Sequence, residues 1–179
     1  LSKMERMVMQ QIAETSDRVQ LHTAMKHLIV SGNVLIFAGK RNLKVFPLDR
    51  YVIARDGDGN VTEIITIETI DRNLLPEEYQ SAPYDEVNRV GEDGMKMGVG
   101  TKSNNVDVYT CVKRQDGRHV WHQEVDGKIL PNTKSTSPLK YSPWLPLRFN
   151  VCDGESYGRG RVEEYIADLR SLDSLTQSL

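Results

Sequence analysis

Residues 34–68, VLIFAGKRNLKVFPLDRYVIARDGDGNVTEIITIE, decide the fold. Four runs within them, Val34 to Ala38, Leu43 to Phe46, Tyr51 to Ala54 and Val61 to Glu68, are rich in Val, Ile, Phe and Tyr, which fit a pleated, half-buried surface. Between the runs stand Gly39-Lys40-Arg41-Asn42, Pro47-Leu48-Asp49 and Asp56-Gly57-Asp58-Gly59-Asn60, all of them turn chemistry. The stretch predicts a meander of antiparallel strands over 33–70. Asp-Gly pairs favour tight turns, so Arg55 to Asn60 is expected to close a hairpin between two adjacent strands.

Toward the N-terminus the periodicity changes. Met4, Met7, Val8, Ile12, Val19, Met25, Leu28 and Ile29 recur mostly three or four apart, with Glu, Arg, Gln and Asp between them. That pattern predicts one long amphipathic helix over 1–31 with a single buried stripe. Ser31-Gly32-Asn33 should end it, because Gly takes the left-handed conformation that closes helices.

Toward the C-terminus, 71–105 carries Pro76, Pro83 and several acidic pairs, and is expected to be loop-rich, with short helical turns and a mobile loop. Strand character returns at Val106 to Lys113 and His119 to Val125, a second hairpin joined through Arg114 to Arg118 and followed by an Asp126-Gly127 turn. Leu130 to Asn150 holds four of the seven prolines. Pro lacks an N–H donor, so this part of 106–150 suits an extended connector or edge strand. A final helix over 156–179 places Val162, Ile166, Leu169, Leu172 and Leu175 three or four apart, a seam that wants a partner helix in the same or a neighbouring subunit. The whole reads as α+β, in a single domain spanning 1–179.

Composition limits what such a domain does. A chain of 179 residues buries roughly 70% of its unfolded surface, enough for a real core. No apolar run approaches the roughly 18–20 residues that cross a bilayer, so a water-soluble protein without a membrane partner is expected. With 23 basic and 25 acidic residues, the net charge of −2 offers no field to concentrate nucleic acid, and tight binding to DNA is not expected. The two cysteines, Cys111 and Cys152, lie far apart without C-x-x-C spacing and read as free thiols in a reducing compartment. The Leu1 start, with no secretory signal after it, and a last helix that stops in mid-pattern, suggest a segment internal to a longer gene product.

Motifs that carry chemistry fail on spacing. Asp56-x-Asp58-x-Asn60 copies the opening of a calcium loop, but Val61 occupies the sixth position and Ile67 the twelfth, where Gly and Glu are needed. A plain hairpin turn is expected. Gly98 to Ser103 has the composition of a phosphate loop, yet Thr101 precedes Lys102 and a strand follows, so nucleotide binding is rejected. His119 and His122, three apart on a strand, point to opposite faces and read as surface or edge residues. His22 and His27 are about 140° apart around a helix, which is poor for one metal. No Gly-x-Ser-x-Gly elbow occurs and nothing marks Cys111 or Cys152 as a nucleophile. The reading is a non-enzyme with no catalytic residue, metal site, nucleotide site or cofactor.

Arg159 and Arg161 sit where the last helix begins, an end that disfavours cations, while Glu163 and Glu164 offset them. Two readings stay open: a solvated corner neutralised by its own acids, or a subunit contact in which both arginines meet carboxylates of a neighbour, beside Leu169 and Leu172.

Three stretches carry a resemblance. They are Asp153-Gly154-Glu155-Ser156-Tyr157-Gly158-Arg159-Gly160 running into Val162 to Leu172, Ser31-Gly32-Asn33-Val34-Leu35 after a helix, and Leu48 to Val61. In order and spacing they resemble the portal, or head-to-tail connector, proteins of short-tailed, autographivirus-type phages. The resemblance covers nearly the whole chain and is weakest over 71–102. It implies a wing-type portion of a longer subunit, with the last helix leading toward the stem. It further implies a ring, a dodecamer in the full-length form, at one capsid vertex of the virion. Such a protein is made in the host cytoplasm. Terminase, scaffold, capsid and tail proteins are its implied partners, and DNA passes through without tight binding. Two other classes compete: a tail or baseplate interaction module that forms no ring, and a phage hydrolase.

Overall fold

A computed structural model describes residues 2–40, 42–80 and 105–178. Most of the loop-rich segment expected over 71–105, and the Gly98 to Ser103 stretch, lie outside these described residues. The architecture is α+β, as expected, but the strands do not form one meander. They divide into two antiparallel sheets with a helix on one side.

The smaller sheet has the order β2-β1-β9, formed by β1 (Asn33–Ala38), β2 (Leu43–Phe46) and β9 (Trp144–Arg148). The larger runs through β3 (Tyr51–Arg55), β4 (Val61–Asp71), β5 (Asn105–Gln115), β6 (Arg118–Val125) and β7 (Lys128–Ile129), with β8 (Ser135–Pro138) also pairing β6. The expected hairpins are present: β3 pairs β4 across the Asp-Gly loop, and β5 pairs β6. The second turn is tighter than Arg114 to Arg118. Asp116 and Gly117 alone close it, both at positive φ, the primed geometry that matches strand twist. Pro146 sits on β9, at the edge of the small sheet, where a missing donor is tolerated.

The chain leaves one sheet for the other between β2 and β3, across Pro47 and a 3₁₀ turn at Leu48–Arg50. The small sheet is completed by β9, more than a hundred residues after β1, with Val34 opposite Leu147 and Ile36 opposite Leu145. Central in a sheet covered on both faces, β1 buries Asn33, Val34, Leu35 and Ile36 consecutively instead of alternating. One face meets the large sheet: Leu35, Phe46 and Trp144 pack with Tyr51, Ile53, Ile64 and Val112. Trp144 is the pivot, with its ring 4.4 Å from Phe37 and edge-on to Trp121 at 6.3 Å. Burying each large apolar side chain here contributes about 1.5–3 kcal/mol. A second cluster of Leu75, Val106, Val108, Val125 and Leu130 covers the far end of the large sheet's inner face, beneath the short helix α3 (Glu77–Gln80).

The N-terminal helix is two helices, α1 (Ser2–Glu14) and α2 (Asp17–Ser31). The break falls at Thr15-Ser16, residue types that favour helix ends over helix interiors. Asp17 leaves the helical pattern for a tertiary role: it is buried, and its Oδ1 accepts a 2.7 Å bond from the Leu43 N–H at the start of β2. The expected buried stripe is also corrected. Met4, Met7, Val8, Val19, Met25 and Ile29 are exposed. The face on the sheet is Asp17, Leu21, Ala24 and Leu28, packed on Val34, Ile36, Leu43 and Val45. Those positions keep the 4-3-4 spacing of a helical face, but a small and an acidic residue hide it.

His119 is a further correction. Expected at the surface or an edge, it is 7% exposed, because β8 covers the side of β6 that β5 leaves free. The last helix, α4 (Arg161–Gln177), starts later than the expected 156, since Ser156 to Gly160 form its extended approach.

Candidate functional site

Three segments far apart in sequence converge on the base of α4. At Gly32, φ is +76° and a Cβ would lie 2.3 Å from the backbone carbon of Arg159 and from the nitrogen of Gly160. At Gly160, a Cβ would meet the carbonyl oxygen of Val30 at 2.3 Å. At Gly158, one would meet the Asn150 carbonyl oxygen at 2.8 Å. The end of α2 and the approach to α4 therefore touch backbone to backbone, which only residues without side chains permit.

Polar pairing locks the contact. The Asn33 amide donates from Nδ2 to the Gly158 carbonyl at 2.6 Å and accepts from the Gly158 N–H at Oδ1, also 2.6 Å. Phe149 donates its N–H to the Gly32 carbonyl at 2.9 Å, and Asn150 and Arg159 form an isolated antiparallel bridge. The third segment joins through two side chains. Tyr157 Oη accepts the Ile53 N–H at 3.0 Å, and its ring lies 6.5 Å from that of buried Tyr51, whose hydroxyl pKa is pushed up by burial and then by Tyr157. Arg55 donates to three backbone carbonyls, those of Ser156 (3.0 Å), Gly59 (2.9 Å) and Pro146 (3.3 Å). Burial and then the neighbouring Arg148 lower its pKa, and the three carbonyl dipoles work against both, holding the guanidinium as a structural clamp.

The Asp56 loop beside this clamp closes on itself. Asp56 accepts from the backbone N–H groups of Asp58 (3.1 Å) and Asn60 (2.7 Å) and from the Asn60 amide (3.1 Å), and these bonds hold its carboxyl below the usual range. It is a hairpin turn built by its own aspartate.

From the junction α4 runs outward, and none of its residues is buried. Ile166, Leu169, Leu172 and Leu175 are 41–64% exposed, an open apolar row. Arg159 pairs with Glu155 (2.8 Å) and approaches Glu163 (3.8 Å), while Arg161 pairs with Glu164 (2.8 Å) and stacks over Phe149, 5.4 Å from its ring centre. Both arginines are thus engaged within their own chain at the helix base, with Leu169 and Leu172 further along.

The histidines separate as the strand alternation requires. His119 Nδ1 lies 2.7 Å from Ser142 Oγ inside a cleft of about 420 Å³ that Arg55, Arg114 and Lys140 also line. A serine and a histidine at that distance have the spacing of a nucleophile and its base. Here Ser142 Oγ also accepts the Trp144 N–H at 3.3 Å, so the pair caps the first residue of β9. His122, on the opposite face, stands across the ladder from Cys111.

Asn33, Arg55, Tyr157 and Gly158 were visible in the sequence only as members of the three stretches; what they do depends on non-local pairing. The fold and the junction define a positioning module, two sheets that hold the base of a helix whose apolar side is open among the described residues. The chain belongs to the family of bacteriophage head to tail connecting proteins, whose model matches residues 1–179. It is 35% identical over 187 residues to the portal protein of Escherichia phage T7, 37% over 186 to that of Enterobacteria phage T3 and 28% over 186 to that of Pseudomonas phage phiKMV. Each alignment takes in 100% of this chain and 33–34% of the relative, so the chain spans about a third of the length of these curated relatives. The resemblance read from the three stretches is thereby borne out.

Proposed function

We propose that this chain is the wing-type portion of a portal subunit, and that the full-length protein assembles into a dodecameric ring at one capsid vertex of the virion. The ring is a conduit through which a terminase motor moves DNA inward and from which DNA later leaves, with scaffold, capsid and tail proteins as partners. The role is structural, without catalysis or cofactor.

The observation that carries this reading is the α4 row, Ile166, Leu169, Leu172 and Leu175, exposed along a helix whose base is fixed by three interlocked segments. Exposed apolar side chains on α1 and α2 enlarge the open surface. A contiguous apolar face on a rigid element marks a surface meant for a partner. We place the subunit contact at Leu169 and Leu172, with Arg159 and Arg161 at its border exchanging some of their own acids for a neighbour's. The net charge of −2 fits a conduit wall, since every added basic contact to phosphate strengthens a salt-dependent attraction that would retard DNA.

Negative-stain imaging of the full-length protein tests the reading. Rings with a central hole support it. Uniform monomers or dimers, also in the presence of scaffold protein, would replace it with the non-ring interaction module.

A further inference from the structure

The outer face of the large sheet brings together three metal-binding side chains that belong to none of the contacts above. Cys111 on β5 stands directly opposite His122 on β6, and Glu124, two residues on, projects from the same face. The Cys111 sulfur, one His122 ring nitrogen and one Glu124 carboxylate oxygen all lie within 4.8 Å of one another. His122 Nε2 and Glu124 Oε1 already share a 2.7 Å hydrogen bond. The three residues are partly exposed, so the cluster is open to ions from solvent.

We propose that this cluster is a zinc site, with Cys111 Sγ, His122 Nε2 and Glu124 Oε1 as ligands and water in the fourth position. Zinc bonds of about 2.0–2.3 Å to N, O and S place tetrahedral ligand atoms about 3.3–3.7 Å apart. The His122–Glu124 pair must open from 2.7 Å and the sulfur must close in. Both are side-chain rotations on a fixed ladder. A thiolate with an imidazole and a carboxylate is a borderline-soft donor set, which suits zinc and disfavours calcium or magnesium. The competing cation is occupied elsewhere: Lys113 is held 3.1 Å from Glu63. On binding, the Cys111 thiol proton passes to solvent, the neutral His122 imidazole carries its single proton on Nδ1 so that Nε2 is free to ligate, and bonds from the sulfur, the nitrogen and the Glu124 oxygen replace three of the ion's waters, with no redox change. The ion would clip β5 to β6 on the face opposite the core.

Strand alternation separates His119 from His122, so histidine spacing alone hides the site. It needs the cross-strand register.

Cobalt(II) titration of the full-length protein under reducing conditions tests the proposal, cobalt being a spectroscopic stand-in for zinc. The expected result is a thiolate-to-cobalt charge-transfer band that saturates at one ion per subunit and is displaced by zinc. Cys111→Ser should abolish the band, Cys152→Ser should leave it unchanged, and Glu124→Gln should weaken zinc binding about tenfold or more. Absence of the charge-transfer band in the unmodified protein would overturn the proposal without any variant. So would a band that survives Cys111→Ser, or zinc stoichiometry unchanged in a folded His122→Ala protein.

Discussion

Asn33 and Gly158, 125 residues apart, exchange two hydrogen bonds of 2.6 Å, so that one side-chain amide pairs with a backbone peptide as a strand neighbour would. Asn33 is 2% exposed, and its replacement leaves a buried N–H and a buried carbonyl without partners. Each such orphan costs about 1–3 kcal/mol. Asn33→Ala is therefore expected to lower unfolding free energy by about 2–4 kcal/mol, read by urea denaturation. Asn33→Asp, which sets a carboxylate oxygen against the Gly158 carbonyl, should lower it at least as far at neutral pH.

The glycine contacts make a graded prediction. Gly117 has positive φ but open space around its would-be Cβ, so Gly117→Ala carries only the left-handed cost of about 1–2 kcal/mol. Gly32→Ala also sets a Cβ only 2.3 Å from the Arg159 backbone carbon, which cannot rotate aside. It should cost at least about twice as much as Gly117→Ala in the same denaturation assay. Equal costs would mean that the approach to α4 yields freely.

Tyr157 is tested by losing only its oxygen. Tyr157→Phe keeps the ring against Tyr51 but leaves the Ile53 N–H without its acceptor. A loss of about 1–3 kcal/mol is expected, together with faster amide exchange at Ile53. Unchanged exchange there would contradict the clamp.

Much of this fold was legible because its signals are local. Asp-Gly at 56–57 and Asp116-Gly117 state their turns in the residues themselves, Pro146 states an edge, and the leucine spacing from Val162 onward states a helix. What stayed hidden depends on distant parts of the chain. Nothing near Val34 says that Leu147 will be its neighbour, so two sheets looked like one meander. The methionines and valines form a stripe that faces outward, while Asp17, Leu21, Ala24 and Leu28, one of them small and one acidic, carry the packing. The three junction stretches were recognisable as a set, but the reason they recur together, that they touch, lies in the contacts of Asn33, Arg55 and Tyr157.

Burial of His119 links stability to pH. Burial first, and the charge of Arg114 after it, push its imidazole below the ordinary 6.5. The unfolded chain then binds more protons than the native one between the lowered value and 6.5. Stability from this group is complete above that window and declines as pH falls through it. Urea midpoints at about pH 7.5 and pH 5.5 should fall less for His119→Gln than for the unmodified protein; an equal fall would show that His119 is not the titrating group.

In the proposed assembly, the helix fixed at its base presents Leu169 and Leu172 to a neighbouring subunit. Native mass measurement of the full-length protein, beside a Leu169→Lys, Leu172→Lys double variant with an unchanged circular dichroism spectrum, tests it most directly. Neither leucine is buried among the described residues, so the substitutions remove no packing seen there. Closed rings of twelve subunits are expected for the unmodified protein, and monomers or small open assemblies for the variant. Rings of unchanged mass and yield from the variant would contradict it.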